Sequence, residues 1–207
     1  MIETLREQLP IEEFDYNLLM ESLKEYRKPR DKVTQLMRDG FITRIKKGIY
    51  VFGPKLQKGA YSVPVLANLI YGPSYISMEY ALAYHGLIPN RREEVTSMTT
   101  ERNKEFKTPA GKFIYQHLHQ KKYTVGVLHT QIDNNRFCMI ASPEKALADL
   151  LAKEKELKST TDIVEYIGHQ LRIDLNAFNN LDTARMREIA TAYSNPTVTL
   201  LAKAMGG

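Results

Sequence analysis

The chain has 207 residues, 43% of them hydrophobic and 26% charged, a balance that can bury a core and excludes wholesale disorder. A single cysteine, Cys138, excludes a disulfide scaffold and any zinc ribbon or finger built on paired cysteines, and it fits a reducing compartment. The net charge of +5 is modest but unevenly spread: from Lys24 to Lys58 eleven basic residues face only Glu25, Asp31 and Asp39, leaving that stretch at +8 and the remainder at −3. Such polarity reads as a basic nucleic-acid module joined to a body that is not basic. Met1 to Glu7 lacks the basic start and apolar stretch of a signal peptide. The longest uncharged run, Gly59 to Met78, is broken by Pro64, Gly72 and Pro73, too soon for a membrane span. A cytoplasmic protein with no membrane partner is expected.

In chain order, a helix is expected around Ile2–Leu9. Phe14, Leu18, Leu19 and Leu23 then recur at helical spacing and predict an amphipathic helix over Asp15–Tyr26. Pro29 opens a second helix, because its missing N–H costs nothing in a first turn. Val33, Leu36 and Met37 form its apolar face, and Gly40 after Asp39 stops it. Phe41–Ile45 and Ile49–Phe52, around a Lys-Gly turn, read as a hairpin. Helix, helix, hairpin is the order of a winged helix-turn-helix, expected over residues 1–58 with a boundary in the Gly53–Gly59 connector. An α+β domain is expected over residues 59–207. Helices are predicted at Val63–Tyr71 and Ser77–Tyr84. Strands are predicted at Val95–Thr99, Lys112–His119, Tyr123–Gln131 and Phe137–Ile140, making a small, mainly antiparallel sheet. Asp133-Asn134-Asn135 is the natural tip between the last two. Ser142-Pro143-Glu144 opens a further helix, Ser159 to Asp162 resembles a capping box before Ile163–Leu171, and helices follow near Asp182–Tyr193 and Pro196–Ala204.

With Val33, Leu36 and Met37 turned inward, Arg30, Asp31, Thr34, Gln35 and Arg38 are left outside. Arg can donate twice to guanine and Gln can bond adenine twice, while Thr reaches phosphate or a thymine methyl. Arg44, Lys46 and Lys47 on the hairpin supply charge for phosphates, which positions without reading sequence. The candidate DNA-binding residues are therefore Arg30, Lys32, Thr34, Gln35, Arg38, Arg44, Lys46 and Lys47. Other chemistry is thin. His117 and His119 share one face of a strand, with His129 and Cys138 on neighbouring strands, but no helical His pair or acid pair supports a metal site. Glu156-Leu157-Lys158 spells the Glu-x-Lys of metal-dependent nucleases, yet it sits in a charge run ending a helix. His85 reads as a helix end. No Gly-rich phosphate loop appears. Catalytic residues, cofactor and metal are therefore not expected, and a DNA-processing enzyme stays as an alternative.

Three segments carry a resemblance. Tyr75-Ile76-Ser77-Met78-Glu79-Tyr80-Ala81-Leu82-Ala83-Tyr84-His85-Gly86-Leu87, Phe106 to His117, and Ala141-Ser142-Pro143-Glu144-Lys145-Ala146-Leu147-Ala148-Asp149-Leu150 resemble signatures of the AbiEi antitoxin family. With the basic module, the resemblance covers about Phe14 to Ala152. It implies a two-domain regulator of a type IV toxin–antitoxin system linked to phage defence. Its winged helix would bind repeats in its own promoter and repress the operon. Its second domain would antagonise a nucleotidyltransferase-like toxin without a stable complex. Tyr75, Leu82 and Leu87 read as core and Gly86 as a helix stop, so none is assigned a neutralising role. A solitary regulator without a toxin would have the same sequence.

Overall fold

The computed structural model describes residues 2–89, 94–133 and 135–206. Its first segment runs α1 (Ile2–Gln8), β1 (Glu13–Asp15), α2 (Tyr16–Ser22), α3 (Pro29–Arg38), β2 (Ile42–Lys46) and β3 (Ile49–Phe52). Asp15 caps α2 by accepting the Leu18 N–H at 2.8 Å. This helix stops at Ser22 rather than Tyr26, because its apolar period ends at Leu23 and the chain turns back, with Tyr26 N–H donating to Leu23 O. Pro29 opens α3. Gly40, at φ 75°, closes it as Phe41 N–H reaches back to Leu36 O at 2.9 Å. The strands form an antiparallel sheet in the order β1-β3-β2. The three-residue β1 is absent from the sequence expectations.

The body follows as α4 (Val63–Ile70), β4 (Ser74–Ile76), α5 (Met78–Tyr84), β5 (Glu94–Thr99), β6 (Lys104–Thr108), β7 (Gly111–His117), α6 (Gln120–Tyr123), β8 (Val127–Asp133) and β9 (Arg136–Ala141). The helices α7 (Pro143–Leu151), α8 (Thr160–Glu165), α9 (Leu175–Asn179), α10 (Thr183–Tyr193) and α11 (Pro196–Ala204) complete it, α8 running on as a wider turn to Gln170. Ser142 caps α7, and Ser159 with Asp162 makes the expected capping box of α8. Of the expected tip between β8 and β9, Asn134 lies outside the described residues. The sheet is larger than expected. Six strands run β6-β7-β5-β4-β9-β8, with β4–β9 and β5–β7 parallel and the other pairs antiparallel. The expected small, mainly antiparallel sheet is thus corrected to a six-stranded mixed one. Its extra strands are β4, three residues long, and β6, which is too charged to show an apolar alternation.

Two apolar cores result. The smaller joins Leu5, Leu9, Phe14, Leu19, Leu23, Val33, Leu36, Ile42, Tyr50 and Phe52. The larger lies between the six-stranded sheet and the helices around α7, whose residues Glu144 to Leu151 are all buried. They share a wall. Strand β3 is buried along its whole length, sending Tyr50 and Phe52 into the smaller core and Ile49 and Val51, with Ile45 of β2, into the larger. At about 1.5–3 kcal/mol for each buried aliphatic side chain, those three residues tie the hairpin firmly to the body. Polar staples add to this. The buried Glu13 carboxylate accepts from Ser62 N–H and, at 3.0 Å, from Arg136. Glu12 accepts from the Lys58 and Gly59 N–H groups at 3.1 Å and from Arg6 at 2.6 Å.

Candidate nucleic-acid interface

Helix α3 turns Val33 and Leu36 into the smaller core and half-buries Met37 against it. The helical repeat then leaves Arg30, Thr34 and Arg38 along one exposed stripe, with Asp31 and Gln35 beside them. Thr34 Oγ1 donates to Arg30 O at 3.3 Å, and Arg38 makes a solvated pair with Asp39. Lys32 is set apart from this face. It is half-buried, its ammonium donates to Gln35 Oε1 at 3.2 Å, and it lies 5.4 Å from the Tyr26 ring centroid. Its role is therefore to hold the Gln35 side chain as much as to meet a ligand.

On the hairpin, Arg44 and Lys47 are exposed and make no ion pair with a described residue. Lys46 differs. Its ammonium donates to Ile70 O at 2.6 Å and sits 4.2 Å from the Phe106 ring centroid, so it is already engaged with the body. Burial, and then the like charge of Lys104, lower its pKa. Lys104 itself lies 6.0 Å from the same ring and 5.4 Å from that of Tyr71. The positive charge of the hairpin thus continues onto β6, a neighbour 58 positions along the chain that no local pattern discloses.

The other residues weighed for chemistry are dispersed. His117 Nδ1 lies 3.0 Å from Glu101 O, His119 caps α6, and His129 stacks on Phe137 at 4.8 Å. His85 Nε2 lies 2.8 Å from Ala141 O at the end of α5. Cys138 faces the larger core, where burial pushes its thiol up to about 11. No group of three metal-ligating side chains forms among the described residues. Glu156-Leu157-Lys158 lies in the loop between α7 and α8, not on a strand.

The sequence does not disclose where its three motif segments, residues 75–87, 106–117 and 141–150, stand relative to one another. Tyr75 and Ser77 from the first both donate to Asp149 of the third, at 2.9 and 2.6 Å. Tyr193 on α10 donates to the other carboxylate oxygen. Lys145, one turn before Asp149, donates to Tyr193 Oη at 2.7 Å and to Lys122 O, with its ammonium 3.7 Å from the carboxylate. All are buried. A carboxylate with three hydroxyl donors and a cation is fully partnered, and it bolts α7 to β4 and α10. These motifs build the fold of the body.

The class thus defined is a mixed α/β protein with a three-stranded and a six-stranded sheet. No helix among the described residues is long and apolar enough to cross a membrane. No family model and no curated relative matches the chain. Among solved structures, the RV2827C protein from Mycobacterium tuberculosis is similar, with a TM-score of 0.55 over 98% of this chain and 79% of that one. The two share 14% identity, so the likeness concerns the fold alone.

Proposed function

We propose that residues 1–58 are a winged helix-turn-helix that binds double-stranded DNA, with α3 in the major groove and the β2–β3 hairpin against the backbone. One observation carries this reading. The solvent stripe of α3 holds Arg30, Thr34, Gln35 and Arg38, side chains of the kind that can read base edges, while Arg44 and Lys47 on the adjacent hairpin make no ion pair among the described residues. Lys46 joins the positive field from its seat on the body rather than as a free phosphate contact.

Following the resemblance to AbiEi antitoxins, the chain is proposed as a cytoplasmic autorepressor that binds repeats in its own promoter. The body would antagonise a nucleotidyltransferase-like toxin without holding it in a stable complex. Neither role needs a catalytic residue or cofactor. Binding to promoter DNA across a salt series tests the first part. With about 6 phosphates neutralised, log affinity falls against log salt with a slope near −5, and Arg44→Ala with Lys47→Ala makes it shallower for every duplex. Affinity that does not change with salt overturns the proposal. Gln35→Ala or Arg38→Ala weakens the operator by about 1–3 kcal/mol and leaves random DNA nearly unchanged. Equal losses on both reassign the pair to phosphate positioning.

A further inference from the structure

The six-stranded sheet has two open edges of opposite character. Strand β6 is guarded, since Lys104, Glu105 and Lys107 are exposed along it and Pro109 follows. Strand β8 is longer, with seven residues, and from Val127 to Ile132 it carries no Lys, Arg, Pro or Gly. Among the described residues nothing hydrogen-bonds to its main chain outside the ladder with β9, and the break in register is confined to Gln131–Asp133 at the tip. Beside it, Phe137 and Met139 of β9 remain 44% and 38% exposed, on the face shared by their partners Gln131 and His129. An unguarded edge next to bare apolar side chains is the template for one more strand.

The order of side chains along β8 identifies that strand. Laid antiparallel on a copy of itself about Thr130, the sequence matches its own chemistry. Leu128 meets Ile132, both half-buried against the larger core. His129 meets Gln131, both exposed, and Thr130 meets Thr130. The one acid, Asp133, falls opposite Val127 and never opposite another acid. Because these pairs are all even–even or odd–odd, each face of the sheet continues unbroken into the second copy.

We propose that the chain forms a two-fold symmetric dimer in which two β8 strands pair antiparallel about Thr130, joining two six-stranded sheets into one. The inference is independent of the DNA-binding reading. A two-fold contact buries the same patch on both copies and closes, so only the two guarded β6 edges remain. It also completes the burial of Leu128 and Ile132 and supplies cross-strand Thr–Thr pairing, which is favourable.

Sedimentation equilibrium of the full chain, at concentrations up to about 1 mM so that a weak pair is populated, gives the first measurement. The expected mass is twice the 23.8 kDa of one chain. Thr130→Lys and Thr130→Glu each set like charges face to face on the dyad and raise the dissociation constant about tenfold or more. Mixing the two variants sets Lys against Glu and restores dimer, which no folding defect would do. Circular dichroism confirms that each variant is folded. A wild-type chain that stays monomeric, variants that dimerise as tightly as wild type, or a mixture that stays monomeric overturns the proposal.

Discussion

Lys145 and Asp149 put opposite charges where no water reaches, and their surroundings decide what that does to stability. Burial holds the Lys145 ammonium down at about 8, against an unfolded value of 10.5, although Asp149 pulls the other way. Between those pH values the unfolded chain keeps a proton that the folded chain has released, so stability climbs as pH rises. Tyr75 and Tyr193 act oppositely. Burial, and then the Asp149 charge, raise them above the ordinary tyrosine value of 10.0, so beyond that pH only the unfolded chain ionises and stability falls. The melting temperature of the wild type is expected to rise from pH 8 towards pH 10 and then to drop. Lys145→Met removes the rise due to this group, which separates it from Lys46 and Lys153, two lysines that burial also lowers. At neutral pH the variant loses about 3 kcal/mol, because a buried pair is broken and Asp149 keeps hydroxyl donors alone. Urea titrations of both proteins at pH 7, 8, 9 and 10 check this, and equal pH dependence in the two would reject it.

At the scale of elements, the joint between α3 and the hairpin depends on one glycine. Gly53 N–H donates to Phe41 O at 2.8 Å, and a Cβ there would stand 2.4 Å from Gly40 O. That oxygen belongs to the chain reversal after α3 and cannot swing aside like a side-chain end. Gly53→Ala is therefore expected to cost about 2–3 kcal/mol. Gly59→Ala, whose added carbon meets nothing within 4 Å, stays within about 0.5 kcal/mol. Urea midpoints for the two variants measure the contrast. Elements of this kind divide by how local their causes are. The Pro29 start and Gly40 stop of α3, the Ser142 cap and the Ser159–Asp162 box are set by neighbouring residues, and each is legible in the sequence. Strands β1 and β4, three residues each, are too short to show a period. The parallel pairing of β4 with β9 joins Ile76 to Ile140, a choice made by the core and not by either segment. The exposed stripe of α3 follows from helical spacing. The seating of Lys46 on Ile70 and Phe106 does not, because both partners are more than twenty residues away.

Across the whole molecule, the shared wall argues against treating the two halves as separable. The charge split and the separate strand and helix pattern of the sequence favour a body, residues 59–207, that folds without the basic module. Yet Ile45, Ile49 and Val51 belong to the larger core, Lys46 satisfies the carbonyl that ends α4, and Arg136 pairs with the buried Glu13 as well as with Asp133. Deleting residues 1–58 removes all of these at once. It uncovers apolar surface worth about 1.5–3 kcal/mol for each lost aliphatic partner, a large share of the 5–15 kcal/mol that holds a typical domain together. The full chain is accordingly expected to unfold in one calorimetric transition. The 59–207 fragment should melt well below it or aggregate. Two resolved transitions, with the fragment reproducing the upper one, would show that the wall is dispensable. This bears on how the proposed antitoxin role is measured, since a failed rescue by the fragment would report lost folding as readily as lost activity. The full chain carrying Gln35→Ala and Arg38→Ala keeps both cores, because those side chains are exposed. Co-expressed with a cognate toxin, it should protect cells while failing to repress the promoter. Loss of protection in that folded, full-length variant would place the α3 surface in neutralisation as well as in repression.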